Sequence, residues 1–275
     1  MGHWRRCVRT CNDCCLTADN PFLQKEEIVI MTKVTDSEVL ITGASRGIGQ
    51  ALVEEALRRG AKRVYAGMRV PVAHPDERVT PLMLDVTNAE QIRHAVEAVP
   101  SLDILVNNAG VAILDDLTNP SVIQQHLDVN LYGPLHMAQA FLPLLARSHG
   151  AIVNNLSLNG FAAFPLIPGY SVSKAAAFSM TQSLRSFCVE QGVRVHAVLT
   201  GPTDTEMSAG LDAPKATPDY VARAIFDGVE KGEDDIFPDP ASEPMAEGWR
   251  SGVASLAATQ FAAMAREISA ASAAR

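Results

Sequence analysis

Tyr170 and Lys174 stand four residues apart, the spacing that sets two side chains one turn apart on one helical face. An ammonium beside a phenol favours the phenolate and draws the phenol pKa down from its ordinary value of about 10. A tyrosine tuned in this way passes a proton near neutral pH. Ser157, thirteen residues before Tyr170, closes a run of strand-forming residues. Its hydroxyl can orient a substrate oxygen.

A second pattern lies upstream, Thr42-Gly43-Ala44-Ser45-Arg46-Gly47-Ile48-Gly49, between a strand-like run and a helical one. A pyrophosphate has to reach backbone N–H groups at a helix start, and side chains would block it. Gly43 permits the sharp turn, and Gly47 and Gly49 permit close approach and tight packing. In dinucleotide sites an acidic residue about twenty positions on holds the adenosine ribose. Here the next strand ends Ala66-Gly67-Met68-Arg69, with a cation in place of the carboxylate. Arg46 and Arg69 suit the geometry of a 2′-phosphate, which predicts NADP(H) over NAD(H).

The composition allows such a site. The 275 residues are 47% hydrophobic and 20% charged, a globular balance. A net charge of −8 argues against nucleic acid or an anionic membrane as the main partner. No apolar run is long enough to span a bilayer, and a cytoplasmic protein is expected. Four of the five cysteines, Cys7, Cys11, Cys14 and Cys15, crowd the first fifteen residues. Thiolates at short spacing can share a metal or an iron–sulfur cluster. A structural zinc site needs two separated ligand pairs, and no second pair follows. No apolar stretch follows as in a signal peptide, and Cys188 alone remains for a disulfide framework. Residues 1–31 therefore read as an extension outside the fold, or as the product of an upstream start, with no metal expected.

The chemistry needs a frame. Strand-like runs at 38–42, 63–68, 80–84, 102–106, 151–156, 193–199 and 235–237 alternate with helical stretches at 47–59, 89–99, 121–146, 169–190 and 218–231. Continuous apolar strands are those covered on both faces. The alternation predicts βαβ units in a doubly wound parallel sheet with helices on both faces, in one domain over residues 32–240. Ser157 then falls at the C-terminal edge of the fifth strand, where ligands bind in such sheets. From residue 241 the chain is alanine-rich, with Met245, Trp249, Val253, Leu256, Phe261, Met264 and Ile268 at roughly helical spacing. This predicts a helical arm over 241–275. The arm could border the pocket, contact another subunit, or pack on its own sheet.

In these motifs the chain resembles the short-chain dehydrogenase/reductase family, over residues 34–240. The matching pieces are the turn from Thr42 to Gly49, Asn107-Asn108-Ala109-Gly110, Asn130, Ser157 and Tyr170-Ser171-Val172-Ser173-Lys174. The resemblance implies a Rossmann-type fold and direct hydride transfer between a nicotinamide and a carbonyl carbon. It implies Tyr170 as general acid/base and Lys174 as the group that holds the ribose and tunes the phenol. Ser157 would position the substrate oxygen, and Asn130 would support a water that relays protons to Lys174. Gly43, Ser45, Arg46, Gly47, Ile48, Gly49 and Arg69 would hold the cofactor, with Asp85 and Val86 at its adenine. Asn107, Ala109 and Gly110 would form its ribose wall. Pro202, Thr203 and Thr205 are also assigned to the cofactor, Thr203 or Thr205 to its carboxamide.

Two departures stand out. The family's Pro-Gly after the sixth strand is reversed here as Gly201-Pro202, and the usual glycine-rich ending is replaced by the alanine-rich arm. The substrate pocket is expected between Ser157 and Tyr170, from Leu158, Asn159, Phe161, Phe164, Leu166 and Ile167. Its apolar character suggests a ketone, aldehyde or secondary alcohol with hydrophobic substituents, acted on by a homodimer or homotetramer. The alternatives are a reductase of carrier-protein thioesters and a non-enzymatic NADP(H) sensor on the same fold. The first would want a basic mouth, and the second has no need of a tuned acid.

Overall fold

The computed structural model describes residues 32–273. The cysteine cluster and the rest of the expected extension lie outside the described residues. Seven strands form one parallel sheet: β1 Glu38–Thr42, β2 Arg63–Met68, β3 Val79–Met83, β4 Ile104–Asn107, β5 Ala151–Asn155, β6 Arg194–Val198 and β7 Asp235–Ile236. Their order is β3-β2-β1-β4-β5-β6-β7. The order reverses between β1 and β4, which opens a crevice at the carboxyl ends of these two strands. The helices are α1 Gly47–Arg58, α2 Ala89–Ala98, α3 Pro120–Leu127, α4 Gly133–Ser148, α5 Pro168–Cys188, α6 Pro218–Lys231, α7 Ala246–Arg250 and α8 Val253–Ala273.

Side chains alternate across each strand, and both faces are covered. Val39, Ile41, Ile104 and Val106 pack under α1 and α6 with Leu52, Ile225 and Phe226. Leu40, Leu105 and Ile152 point the other way, to Met137, Phe141 and Leu145 of α4. That is why the strands read as unbroken apolar runs.

The long helix expected over 121–146 is three pieces. A π-helical turn at Asp128–Tyr132 separates α3 from α4. Hydrophobic periodicity does not register one extra residue in a turn, and such bulges recur at functional sites. Asn130 sits in this turn, fully buried.

The arm is broken too. A single turn of 3₁₀ helix at Glu243–Met245 leads into α7, and Ser251 and Gly252 separate α7 from α8. Trp249 anchors α7. Its indole N–H donates to Asp235 at 2.7 Å, and its ring stacks on Phe161 at 4.5 Å. α7 thus packs on the chain's own sheet edge. Beyond it, Val253 and Phe261 of α8 remain 84% and 66% exposed, so the apolar spacing of α8 is not consumed by that packing. No helix among the described residues is long and apolar enough to cross a membrane.

Candidate active site

The turn after β1 has the backbone its glycines foretell. Gly43 and Gly47 adopt φ of +66° and +56°, where a side chain is strained. A Cβ on Gly43 would come within 2.9 Å of the Ala109 Cα, and one on Gly49 within 2.1 Å of the Gly43 carbonyl. The N-termini of α2, α3 and α6 are capped by the side chains of Asn88, Asn119 and Thr217, whereas α1, like α4 and α7, has no side-chain cap and carries Arg46 at its N-cap position. Its first N–H groups are the ones a pyrophosphate needs. The cradle therefore fits a dinucleotide, and Gly43, Ser45, Gly47, Ile48 and Gly49 are the residues that would hold its phosphates.

Polar side chains tie this cradle to the neighbouring strand ends. Thr42 Oγ1 accepts the N–H groups of Asn108 and Ala109, each at 3.0 Å. The Asn108 amide donates to the carbonyls of Thr42 and Gly43, and Asn155 Nδ2 donates to Asn108 Oδ1 at 3.0 Å. Thr200 then donates to Asn155 Oδ1 at 2.7 Å. The ends of β1, β4, β5 and β6 are thereby linked in one chain of hydrogen bonds. Asn107 donates to Asn154 at 2.9 Å and braces β4 on β5, while its Oδ1 is buried without a partner.

Lys174 joins this network through the backbone. Its ammonium donates to the Asn155 carbonyl at 2.9 Å and lies 5.6 Å from the centre of the Tyr170 ring. The Ser157 hydroxyl lies near enough to the Tyr170 phenol to favour its ionised form. The three residues expected to do the chemistry are therefore together. The expected direction of the tuning is corrected. Burial pushes the Tyr170 phenol up to about 12, against the lowering effect of the nearby Ser157 hydroxyl. Burial also brings Lys174 down to about 8. Desolvation sets the direction of the shift, and the phenol stays protonated at neutral pH.

Two further groups set the place of Tyr170. α5 starts one residue before Gly169, and Asp115 accepts the Gly169 N–H with both carboxylate oxygens, at 3.3 and 3.1 Å. His126, fully buried, accepts the Ile113 N–H at 2.9 Å and meets the Tyr170 ring edge-on at 6.2 Å. Asn130 Oδ1 accepts the Val111 N–H, and its amide donates to the Val111 carbonyl and to Ser173, all at 2.9 Å. Asn130 Oδ1 and the Lys174 ammonium both border Gly110, 3.2 and 3.9 Å from where its Cβ would be.

The remaining assignments divide. Val86 is buried against Gly133, and Asp85 Oδ1 is engaged by the Thr87 backbone and hydroxyl. Arg69 is exposed at the end of β2. Arg46 is ion-paired with Glu206. The reversed Gly201-Pro202 has a structural reason: Asp239 accepts the Gly201 N–H at 2.7 Å, and a Cβ on Gly201 would strike the same carboxylate at 2.5 Å. Thr203 is buried and its hydroxyl donates to the Gly201 carbonyl, while the methyl of Thr205 lies against Gly47. Asn159 donates its N–H to Ser157 Oγ at 3.1 Å, and Phe164 is exposed beside α5. Phe161 lines a cavity with Met245, Trp249 and Phe261 of the arm. Its ring also packs in an aromatic cluster with Phe178, Phe237 and Trp249.

Asn155, Asp115, His126 and Asp239 were not singled out by spacing. One signal was available for Asn155: two adjacent asparagines, Asn154 and Asn155, interrupt an otherwise apolar strand.

Comparison with known proteins agrees with this architecture. The short chain dehydrogenase family model matches residues 37–216. An uncharacterized oxidoreductase of Staphylococcus aureus (strain USA300) is 34% identical over 212 residues, covering 71% of this chain and 92% of that protein. An uncharacterized oxidoreductase of Staphylococcus epidermidis (strain ATCC 12228) is 35% identical over 194 residues, 66% of this chain and 84% of that protein. A short chain dehydrogenase from Burkholderia cenocepacia J2315, solved in complex with NADP, superimposes with a TM-score of 0.76 at 34% identity. It covers 82% of this chain and 98% of that one. The cradle, the sheet and these matches together make the chain an oxidoreductase that belongs to the short-chain dehydrogenase/reductase family.

Proposed function

We propose that the protein is an NADP(H)-dependent oxidoreductase that reversibly reduces a ketone or aldehyde to an alcohol, with Tyr170 as general acid/base. The observation that carries this reading is the Ser157–Tyr170 hydroxyl pair beside the Lys174 ammonium, at the carboxyl edge of the sheet. A bound nicotinamide supplies the hydride for the carbonyl carbon. Ser157 donates to the carbonyl oxygen and holds it against the phenol. Tyr170, whose raised pKa keeps it protonated, delivers its proton as negative charge grows on that oxygen. The nearby Lys174 ammonium then stabilises the phenolate left behind. With its own pKa at about 8, Lys174 exchanges a proton readily near neutral pH and so restores the phenol. Asn130, across Gly110 from Lys174, lies on the side from which a relay water would serve the ammonium.

The preference for NADP(H) is supported by the cations at Arg46 and Arg69, by the missing carboxylate at the end of β2, and by the NADP held in the Burkholderia relative. Exposed Val172 and Phe187 on α5 support a homodimer or homotetramer that covers this helix.

The test is an NADPH-oxidation screen across ketones and aldehydes, with NADH in parallel. Turnover is expected with NADPH. In Tyr170→Phe it should fall by about 10²–10⁴-fold while cofactor affinity holds. Undiminished turnover in that variant would refute the mechanism, and turnover with neither cofactor would refute the enzyme.

A further inference from the structure

The two cations that face a 2′-phosphate are not equally free. Among the described residues Arg69 makes no ion pair, whereas Arg46 is paired with Glu206. Glu206 comes from the opposite wall of the cleft, in the 3₁₀ turn Glu206–Ser208 that follows β6. That turn is held in place. Thr203 bridges Ala216, Ser208 donates to the Thr203 carbonyl, and Lys215 donates to the Ser208 carbonyl at 2.7 Å. The same segment touches the phosphate-binding turn a second time: a Cβ on Gly47 would come within 3.0 Å of the Thr205 methyl. The two walls therefore meet at an apolar contact and at an ionic one.

We infer that Glu206 is a cofactor-selectivity residue, whose carboxylate holds Arg46 until a 2′-phosphate takes the guanidinium from it. The inference rests on the NADP(H) reading above. One guanidinium fork cannot serve a carboxylate and a phosphate with the same pair of N–H groups, and the phosphate carries more charge. A ligand shifts such an equilibrium only by its differential affinity for the two states. NADP(H) brings the competing anion. NAD(H) brings only ribose hydroxyls, which leave the pair intact. The pair thus opposes NADP(H) alone. Both side chains are more than half exposed, 65% and 71%, so the pair is weak and the three variants below should fold.

The experiment is fluorescence titration of NADPH and of NADH into the wild type, Glu206→Gln, Arg46→Ala and the double variant. Glu206→Gln should tighten NADPH about two- to fivefold and leave NADH unchanged, with no gain in the Arg46→Ala background. Equal tightening of both cofactors would reduce Glu206 to a general repulsive charge and overturn the inference. Weakening of both would make the pair a strap over bound cofactor, and no change would make it idle; either outcome overturns it as well. A wild type with no preference for NADPH would instead refute the 2′-phosphate reading itself.

Discussion

Tyr170 and Lys174 are both pushed by burial toward their neutral forms, to about 12 and about 8. The two shifts have different consequences. The phenol remains an acid across the physiological range, so the group that titrates near working pH is the lysine. Carbonyl reduction should therefore be level in kcat/KM below pH 8 and decline above it, as Lys174 loses the charge that stabilises the phenolate. In Lys174→Met the decline near pH 8 should vanish along with most of the rate. A pH–rate profile of both proteins checks this, and a wild-type profile level through pH 10 would refute it. These residues were legible in the sequence because their relation is local: four positions on one helix, or three glycines in one turn. Asn155 was not. It joins Asn108 and Thr200, 47 and 45 residues away, and no local spacing encodes such a meeting.

The elements show the same division. The sheet was readable because each strand is short, apolar and covered on both faces, and the predicted strands differ from the observed ones only at their ends. What the pattern missed are the devices that set one element against another. The π turn at Asp128–Tyr132 brings Asn130 onto Val111 and Ser173. Asp115, in the loop after β4, caps α5 one residue before Tyr170. Without that carboxylate the Gly169 N–H loses its partner and the first turn of α5 loses its tether to the loop. Asp115→Ala should cost about 1 kcal/mol in stability, the usual loss for a helix cap. It should cost turnover about tenfold or more, because displacement of the adjacent phenol spoils its alignment. Asp115→Asn keeps an acceptor and should recover most of both. Urea denaturation with steady-state kinetics checks the pair. Full activity in Asp115→Ala would show that α5 holds Tyr170 unaided.

At the scale of the molecule, one sheet carries both the site and a buried group that makes the fold sensitive to acid. His196, at the centre of β6 and paired across from Val153, is 1% exposed. Its Nδ1 bonds the Glu233 carbonyl at 2.6 Å; a carbonyl only accepts, so the proton sits on Nδ1 and Nε2 is bare. Nε2 has no partner, and charging it would bury an unmatched N–H. Burial accordingly lowers its pKa from 6.5 to about 4, with Arg194 and Arg185 adding to the shift and the Glu233 bond and Asp234 opposing it. Between those two values the unfolded chain binds a proton that the folded one refuses. Stability is therefore intact above pH 6.5 and drains away as pH falls toward 4, by about 2 kcal/mol at pH 5 from this residue alone. Glutamine can retain a donor toward the Glu233 carbonyl but cannot take up a proton. His196→Gln should be less stable than the wild type at neutral pH, yet its loss between pH 7 and pH 5 should be smaller by that amount. Urea midpoints at the two pH values measure both slopes. Parallel slopes would mean that the acid sensitivity arises elsewhere.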